Sequence, residues 1–515
     1  MEDVVSPLRE RREPLAGLKQ PASPSAAPVP LLQRVFSFPV MLASVLVVLA
    51  MLTVRARFDD PDMWWHLMTG EIIWTTHSIP VVDVFSYTTN HQAYTPQEWL
   101  AQLSIYSAYK WGGLAGMMLW MCFFTSAFLI SGYILCSLYS KNAKVAFVGA
   151  MAFWFFGTIA YSVRPQMIGY LLLVLELLLI HLGRTRNPRY FFCLPVLFAI
   201  WINCHGSFFL GLLVTGVFLF SSFFNFEMGS LVSKGWDSHC RRMFGISLLL
   251  SAAALFLNPS GIRQIIYPVD TMLHQPIGVA NSEEWQATQL TDSRGLVLLA
   301  VVLCIFLLAV IRKSELHWDE LILLGLATWL GLGHERMLIV FGILAAPVLC
   351  RQLSNMWEGY NAAEDRILPN AMMVGLSILV AFFSFPNLQN LEAQVQAGSP
   401  VSAVNFIKSS HLSGPMLNDY VYGGYLIWAA PEHPVFVDGR SDVYEWSGVL
   451  RQFGSWATLQ SDPNTLLEEY RVNFCLLANH SPMAHVLPLM AGWKLVYSDD
   501  KSVIFARTVP VAGAE

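Results

Sequence analysis

The stretch 58–67 (FDDPDMWWHL) concentrates side chains that can do chemistry. Asp60 and Asp62 stand two residues apart, His66 follows, and the whole stretch comes directly after the first long apolar run. Charged groups beside a membrane are costly and usually serve transport pathways or chemistry. A carboxylate here can take a proton from a hydroxyl group, and carboxylates with a histidine can bind a metal ion. Because Asp60 directly precedes Pro61, a helix cap with proline in the first turn is the structural alternative.

Further charged side chains stand between later apolar runs, namely Glu98, Arg164, His205, Glu284 and Arg336. Arginine and histidine can hold a phosphate leaving group while a carboxylate accepts a proton, which is what sugar transfer from a lipid phosphate requires. Ordinary structural roles compete with this interpretation. Glu98 could favour a helix dipole, His205 could be a buried histidine with a backbone partner, and the two arginines could reach lipid headgroups.

The composition indicates a polytopic membrane protein. Of the 515 residues, 55% are hydrophobic and only 13% are charged, and the mean hydropathy is +0.49. Soluble domains carry about 25% charged residues. The eight cysteines are scattered without a C-x-x-C pair, which argues against a zinc site or a disulfide framework.

Apolar runs of helical length follow one another along most of the chain, and each is predicted to span the bilayer. They lie near residues 35–54, 113–138, 144–162, 166–183, 190–204, 207–226, 243–258, 295–311, 319–333, 337–350 and 369–386, which gives about eleven transmembrane helices. The membrane domain is therefore predicted over 35–386. Residues 1–34 are basic and rich in Pro, Ala and Ser, so we expect a disordered tail. Lys and Arg concentrate in alternate loops, and this positive-inside pattern predicts a cytoplasmic N-terminus in a cytoplasmic (inner) membrane, with the C-terminus outside.

With this topology the first outer loop is long, covering residues 57–111, and most polar clusters lie on the outer face. Two amphipathic stretches, 62–76 and 96–110, are predicted to lie flat at the membrane interface. Their tryptophans, Trp64 and Trp65 among them, would then sit in the headgroup layer.

Residues 387–515 are predicted to form an extracytoplasmic α/β domain, because apolar runs shorten to strand length and turn signals appear. The predicted strands are a short one at 415–419, then 434–438 (PVFVD) and 473–478 (NFCLLA), and a closing hairpin of 493–499 with 502–507. Short helices are predicted at 423–430 and 466–470.

Several motifs, in their order along this topology, resemble the GT-C superfamily of polytopic membrane glycosyltransferases. Within it the chain is similar to a bacterial branch related to the dolichyl-phosphate-mannose and RgtA-type enzymes. The resemblance covers most of residues 35–507 and is carried by Asp60-Pro61-Asp62 with Trp64-Trp65-His66, Gln97-Glu98-Trp99-Leu100, Asn203-Cys204-His205-Gly206, Asn258-Pro259-Ser260-Gly261, Glu284-Trp285, Arg336, Asn418-Asp419 with Gly423-Gly424-Tyr425, and Val437-Asp438-Gly439-Arg440.

The resemblance implies a glycosyltransferase that passes a sugar from a polyprenyl-phosphate donor to a lipid, glycan or protein acceptor outside the membrane. It implies catalytic roles for Asp60 and Asp62, with Glu98 as helper. Arg164, His205, Glu284 and Arg336 are the predicted substrate-binding residues. Metal dependence varies in that superfamily, so Mg²⁺ or Mn²⁺ at Asp60, Asp62 and His66 stays open. Many relatives show Asp-Glu or Asp-x-Asp at this place, whereas this chain has Asp59-Asp60-Pro61-Asp62. Which aspartate is the base therefore stays open.

Two other functions compete with the enzyme. A transporter or flippase of a lipid-linked substrate would typically show internal repeats and polar groups at the midplane of the membrane. The sequence shows no repeat, and its polar clusters fall at one face, which favours the enzyme. An inactive member that serves as a scaffold in the cell envelope is compatible with the same sequence.

Overall fold

The computed structural model describes residues 31–509, apart from 90–91, 275–276, 279–282, 355 and 362–363. The predicted tail lies outside the described residues except for its last few positions, which begin the short helix α1 (Leu31–Val35).

The membrane part of the chain is helical. Its helices are α2 (Phe38–Val54), α3 (Met63–Thr76), α4 (Trp99–Ser140), α5 (Ala143–Gly157), α6 (Gln166–Thr185), α7 (Leu194–Ile202), α8 (Phe208–Ser221), α9 (Ser238–Ala254), α10 (Ile262–His274), α11 (Ser293–Arg312), α12 (Trp318–Gly333), α13 (Leu338–Leu353) and α14 (Ile367–Ser384). Apart from α3 and α10, these helices coincide with the predicted apolar runs. The predicted helical membrane architecture is therefore confirmed.

By length and hydropathy, α4, α6, α11, α13 and α14 are each able to cross a membrane. Helices α2, α5, α7 and α8 are apolar but shorter. The number of spans and the side on which each loop lies stay predictions, and "first outer loop" is used as a name for residues 57–111. Helix α4 is interrupted at Gly113, which has φ 57° and ψ −142°, and only glycine adopts this conformation readily.

Helix α13 forms the centre of the bundle. Almost all of its side chains are buried, and it packs against α4, α5, α11 and α12. A helix that is apolar on every side belongs in the interior, so α13 is the element around which the others assemble.

Helix α3 lies inside the protein rather than on the membrane surface. Trp64 and Trp65 are only 3% and 8% exposed, because α3 packs against α4 on one side and against α17 (Gly423–Ala429) on the other. The expectation that these tryptophans lie in the headgroup layer is therefore wrong. The start of α3 is instead held between the membrane helices and the C-terminal part of the chain.

The C-terminal part is a small α/β unit, as predicted. Strands β4 (Met416–Asn418), β5 (Phe474–Ala478), β6 (Trp493–Ser498) and β7 (Ser502–Arg507) form a sheet in the order β4-β5-β7-β6, in which β4 and β5 are parallel and the other pairs antiparallel. A second small sheet lies outside this unit, between helices of the membrane part, and contains β1 (Phe226–Met228), β2 (Leu231–Ser233) and β3 (Leu316–His317). The remaining helices are α15 (Leu388–Gly398), α16 (Val401–Ser409), α18 (Ser441–Ser447), α19 (Val449–Ala457), α20 (Pro463–Glu469) and α21 (Pro482–Val486).

The predicted strand at 434–438 is wrong, because the segment forms only an isolated bridge between Val435 and Ser86. Its hydrogen bonds go to the first outer loop: the Val435 amide donates to the Phe85 carbonyl at 3.0 Å, and the Tyr87 amide donates to the Val435 carbonyl at 3.3 Å. The Phe436 amide donates to the Asn418 side chain at 2.8 Å. The segment thus joins the first outer loop to the C-terminal unit instead of adding a strand to its sheet.

Candidate active site

Arg164 is the centre of the predicted polar cluster. It precedes Pro165, the residue directly before α6 begins, so its side chain lies at the N-terminal end of α6. Its Nε lies 2.6 Å from Asp60 Oδ2, and its Nη2 lies 3.1 Å from Asp62 Oδ2. All three side chains are mostly buried, so salt screens these ion pairs weakly. The contacts tie the first outer loop to the start of α6.

Glu284 bridges two arginines. Its Oε1 lies 3.3 Å from Arg164 Nη1, and its Oε2 lies 3.6 Å from Arg336 Nη1. Arg336 also donates from Nη2 to Gln166 Oε1 at 2.8 Å, and its guanidinium lies 5.4 Å from the centre of the Trp285 ring. The structure thus brings the predicted binding arginines to one place, with a carboxylate between them.

Glu98 faces two histidines. It stands directly before α4, with Oε1 3.7 Å from His205 Nε2 and Oε2 3.8 Å from His66 Nδ1. Both distances exceed a hydrogen bond. The nearer neighbour of His66 is Gln102, whose Nε2 lies 3.2 Å from His66 Nδ1. Among the described residues no arginine or lysine pairs with Glu98, in contrast to Asp60, Asp62 and Glu284.

The surroundings of Glu98 change its acidity. Burial raises the pKa of Glu98 to about 8; the Arg336 guanidinium opposes the shift and the Asp442 carboxylate adds to it. Burial, with Arg336, lowers the pKa of His205 to about 3, so this imidazole is neutral near pH 7. His205 Nδ1 accepts a hydrogen bond from the Ser207 amide at 3.1 Å. That bond places the imidazole proton on Nε2, the nitrogen that faces Glu98.

The two aspartates of the first outer loop have different positions. Asp62 lines the cavity described below, whereas Asp60 does not. Asp60 Oδ1 accepts from the Asp62 amide at 2.9 Å, so Asp60 fixes the loop and Arg164 rather than facing a substrate. Asp62 stands directly before α3, but its side chain makes no capping hydrogen bond. Helix capping is therefore not what holds Asp62 here. Burial raises the pKa of Asp62, and the nearby Arg164 guanidinium opposes that shift.

The site residues line a cavity of about 1170 Å³. Its middle is lined by Asp62, Glu98, Arg164, His205, Glu284 and Arg336. Its apolar end is formed by α6, α8, α12 and α13 and includes Leu173, Leu210, Leu213, Trp329 and Val340. Its other end is formed by the C-terminal unit and includes Ser441, Asp442, Arg451, Thr458 and Gln460. The lining thus has an apolar part, a charged part and a part from the C-terminal unit, and the first and last are called its apolar end and its polar end.

The predicted metal ligands are not assembled into a metal site. Arg164 occupies the space beside Asp60 and Asp62, and His66 turns to Gln102 and Glu98 instead. Within the described ranges, no three His, Cys, Asp or Glu side chains converge so that they could hold an ion. Asp60, Asp62 and His66 therefore do not form a three-ligand cluster in this structure, and a requirement for Mg²⁺ or Mn²⁺ stays a prediction.

The C-terminal unit contributes directly to the site, which the sequence did not predict. The Asp62 carboxylate lies against Gly439, where an added Cβ would clash with it. Asp442 lines the cavity and accepts a hydrogen bond from the Tyr267 hydroxyl. The acidic cluster in Asp438-Gly439-Arg440-Ser441-Asp442 was the available signal, but only the fold shows that this turn meets the first outer loop.

Comparisons with known proteins give a structural likeness only. No family model matches the sequence, and no curated protein matches it. The oligosaccharyltransferase of Archaeoglobus fulgidus, solved with a tethered acceptor peptide containing the NVT sequon, matches with a TM-score of 0.56 and 13% identity over 92% of this chain and 75% of its own. The same organism's AglB, in complex with an inhibitory peptide and a dolichol-phosphate, matches with a TM-score of 0.54 and the same identity and coverage. ArnT from Cupriavidus metallidurans bound to undecaprenyl phosphate matches with a TM-score of 0.49 and 13% identity over 92% of this chain and 98% of its own.

This chain has the GT-C fold. The likeness to the A. fulgidus oligosaccharyltransferase covers both the membrane helices and the C-terminal unit, since it extends over 92% of the chain. The resemblance of the sequence motifs to the GT-C superfamily is thus confirmed at the level of the fold. The finer relation to dolichyl-phosphate-mannose and RgtA-type enzymes stays a prediction.

Proposed function

We propose that this protein is a glycosyltransferase that moves a sugar from a polyprenyl-phosphate donor to a lipid, glycan or protein acceptor. The observation that carries the proposal is the single cavity in which Glu98 and Asp62 face Arg164 and Arg336 beside an apolar wall. A lipid-linked donor needs all three parts: an apolar surface for its chain, positive charge for its phosphate, and a carboxylate for the incoming group. The GT-C fold is shared with AglB, which has been solved with a dolichol-phosphate.

The apolar end of the cavity suits a lipid chain. Leu213 and Trp329 line it and are 42% and 71% exposed. Both belong to apolar helices, α8 and α12, so on a protein in a bilayer they would contact hydrocarbon. A polyprenyl chain can enter from this side and leave its phosphate at the charged centre.

Glu284 marks the proposed phosphate position. A carboxylate held between Arg164 and Arg336 shows where two guanidiniums can jointly hold an anion. Arg164 is already neutralised by Asp60 and Asp62, whereas in the described part of the chain the only acidic partner of Arg336 is Glu284. We therefore assign the main phosphate contact to Arg336, with Glu284 displaced when the donor binds.

Glu98 is the proposed base, because an arginine holds each of the other acidic side chains at the centre. The acceptor hydroxyl oxygen attacks the anomeric carbon of the donor sugar and forms the new glycosidic bond. The bond from that carbon to the phosphate oxygen breaks, and its electrons leave with the polyprenyl phosphate. Glu98 takes the hydroxyl proton, while Arg336 stabilises the charge on the departing phosphate. An amide acceptor would use the same groups.

We also propose that transfer occurs on the outer face of the inner membrane, with the C-terminal unit outside. The positive-inside pattern supports this orientation. In S461C, an exposed position after α19, a membrane-impermeant maleimide should label the new cysteine in intact cells. Labelling only after permeabilisation would reverse the orientation.

Gene deletion tests the proposed activity. Mass spectrometry of lipid extracts and surface glycans should show one glycan lost and its polyprenyl-phosphate sugar accumulated. Unchanged glycans and lipids would reject the glycosyltransferase. Purified protein that moves a lipid-linked sugar across a vesicle membrane without any covalent product would establish the flippase instead. A Mg²⁺ or Mn²⁺ requirement is tested by assaying transfer after EDTA treatment and after adding back each ion.

A further inference from the structure

The polar end of the cavity is built by the C-terminal unit. Helices α18 and α19 supply Asp442 and Arg451 to its wall, and α10 supplies Tyr267. This end has no part in holding a lipid chain or a phosphate in the mechanism above. Its polar side chains stand beside apolar ones such as Leu450 and Phe453, a mixture that is typical of a site for a small ligand held by a few polar groups.

Asp442 is the acidic side chain at this end. It is half-buried and faces the cavity, and its Oδ2 accepts the hydrogen bond from the Tyr267 hydroxyl. Unlike Asp60, Asp62 and Glu284, it has no arginine or lysine partner in an ion pair among the described residues. A carboxylate has about four acceptor sites, so the bond from Tyr267 leaves most of its acceptor capacity for a ligand.

Two sets of contacts hold Asp442 in place. On the same helix, Glu445 accepts from the amides of Ile277 and Gly278 at 2.8 and 2.9 Å. Just before the helix, Arg440 is buried between Asp83 and Asp438, with both ion-pair distances 2.6 Å. The helix that carries Asp442 is therefore held in position before a substrate arrives, and the bond from Tyr267 orients its carboxylate, as selective binding requires.

We propose that Asp442 and Tyr267 form a subsite that binds hydroxyl groups of a carbohydrate. The inference rests on the proposed glycosyltransferase function and deepens it by naming the chemistry recognised at the polar end. Asp442 accepts hydrogen bonds from sugar hydroxyls, and Tyr267 orients the carboxylate and offers its own oxygen as a further acceptor. The carbohydrate is either the sugar of the donor or a glycan acceptor.

Lipid binding by the purified full-length protein distinguishes the sugar of the donor from a glycan acceptor as the carbohydrate bound at this subsite. Native mass spectrometry would compare dolichyl phosphate with dolichyl phosphate mannose and dolichyl phosphate glucose. If the subsite holds the donor sugar, the wild type binds a sugar-bearing lipid about tenfold more tightly than the bare lipid, as hydrogen bonds to a charged group provide. D442A and Y267F lose that preference and keep their affinity for dolichyl phosphate. D270A is the matched control, since Asp270 lies on α10, outside the cavity, and contacts His274.

The second experiment measures glycan product and accumulated donor in cells. If the subsite holds a glycan acceptor, D442A and Y267F keep the wild-type lipid-binding pattern but lose most glycan product and accumulate the donor. Melting temperatures equal to that of D270A show that the variants fold. If D442A does not fold, the result for Y267F alone tests the subsite. Unchanged sugar preference together with normal product in both variants would overturn the subsite. A wild-type protein that binds none of the lipids contradicts the proposed donor, and normal product in D442A would then overturn the subsite by itself.

Discussion

Asp62, in the first outer loop, packs directly on Gly439 of the C-terminal unit, and no side chain fits between them. Two segments separated by most of the chain therefore form one wall of the cavity. The C-terminal unit is a part of the proposed active site, because it shapes the position of an acidic residue at its centre.

This contact predicts that G439A is strongly impaired. A methyl group at position 439 displaces the Asp62 carboxylate and disturbs its ion pair with Arg164, and overpacking of this kind costs about 1–3 kcal/mol. We expect at least about a tenfold loss of transfer and a lower melting temperature. The control is G359A, where a Cβ meets nothing within 4 Å. Normal transfer by G439A would show that the contact has no role in activity.

The acidity of Glu98 predicts the pH dependence of the reaction. Burial raises its pKa to about 8, and a base must be deprotonated to act. Below that pKa the carboxyl holds its proton, so the transfer rate should rise between about pH 6 and 9, with its midpoint near 8. E98Q should lose at least about a hundredfold in rate and show no such rise. A residual rate in E98Q with the same midpoint would assign the titration to another group.

The two site arginines should differ in what their removal does. R336A loses the proposed phosphate contact, so its affinity for dolichyl phosphate should fall about tenfold while its melting temperature changes little. R164A leaves Asp60 and Asp62 without their shared partner, which costs about 1–3 kcal/mol of stability. Native mass spectrometry and thermal melting separate these effects. Wild-type affinity in R336A would contradict the assignment of the phosphate to that residue.

Arg440 should be essential for joining the first outer loop to the C-terminal unit. Its side chain and those of Asp83 and Asp438 are almost inaccessible to solvent. R440M strands two buried carboxylates, which costs about 3–5 kcal/mol, so we expect a much lower melting temperature. The exposed K494M on β6 should melt like the wild type. Equal melting of the two variants would reject this role.

The Asp83 carboxyl should make stability sensitive to acid. Burial by itself would raise the pKa of Asp83, but Arg440 and the hydroxyls of Ser86 and Thr89 hold it below its ordinary value of 3.8. Such a group stabilises the fold above its unfolded pKa, and the contribution is lost as pH falls through the folded value. The melting temperature should thus fall below about pH 4, and less steeply in D83N than in the wild type. Parallel curves would exclude Asp83 as the group responsible.

The sequence alone predicts the helices well, because long apolar runs have few other stable structures in a bilayer. It also selects Glu98, Arg164, His205, Glu284 and Arg336, since charge beside a membrane is unusual. Their pairing did not follow from the sequence. It depends on which loops meet, and a carboxylate such as Asp60 has the same sequence signal whether it faces a substrate or an arginine.

Residues that join the C-terminal unit to the rest of the chain were harder to predict. Asp442 belongs to the acidic cluster at 438–442, but nothing in the sequence indicates that it accepts a hydrogen bond from Tyr267. The segment 434–438 has the pattern of a strand, but its hydrogen bonds are taken by the first outer loop. In both cases contacts between distant segments decide the outcome, and local sequence carries no record of them.

Complementation of the deletion strain tests directly whether Glu98 and Asp62 are needed for sugar transfer. Strains carrying the wild type, E98Q, D62N or D59N would be compared, with equal protein in the membrane, for the ratio of glycan product to polyprenyl-phosphate sugar. Asp59 is exposed beside the site residues but outside the cavity, so D59N is the matched control. We expect a wild-type ratio in D59N, and loss of product with accumulated donor in E98Q and D62N. A wild-type ratio in E98Q would show that Glu98 is not the base, and a wild-type ratio in both variants would reject this cavity as the site of transfer.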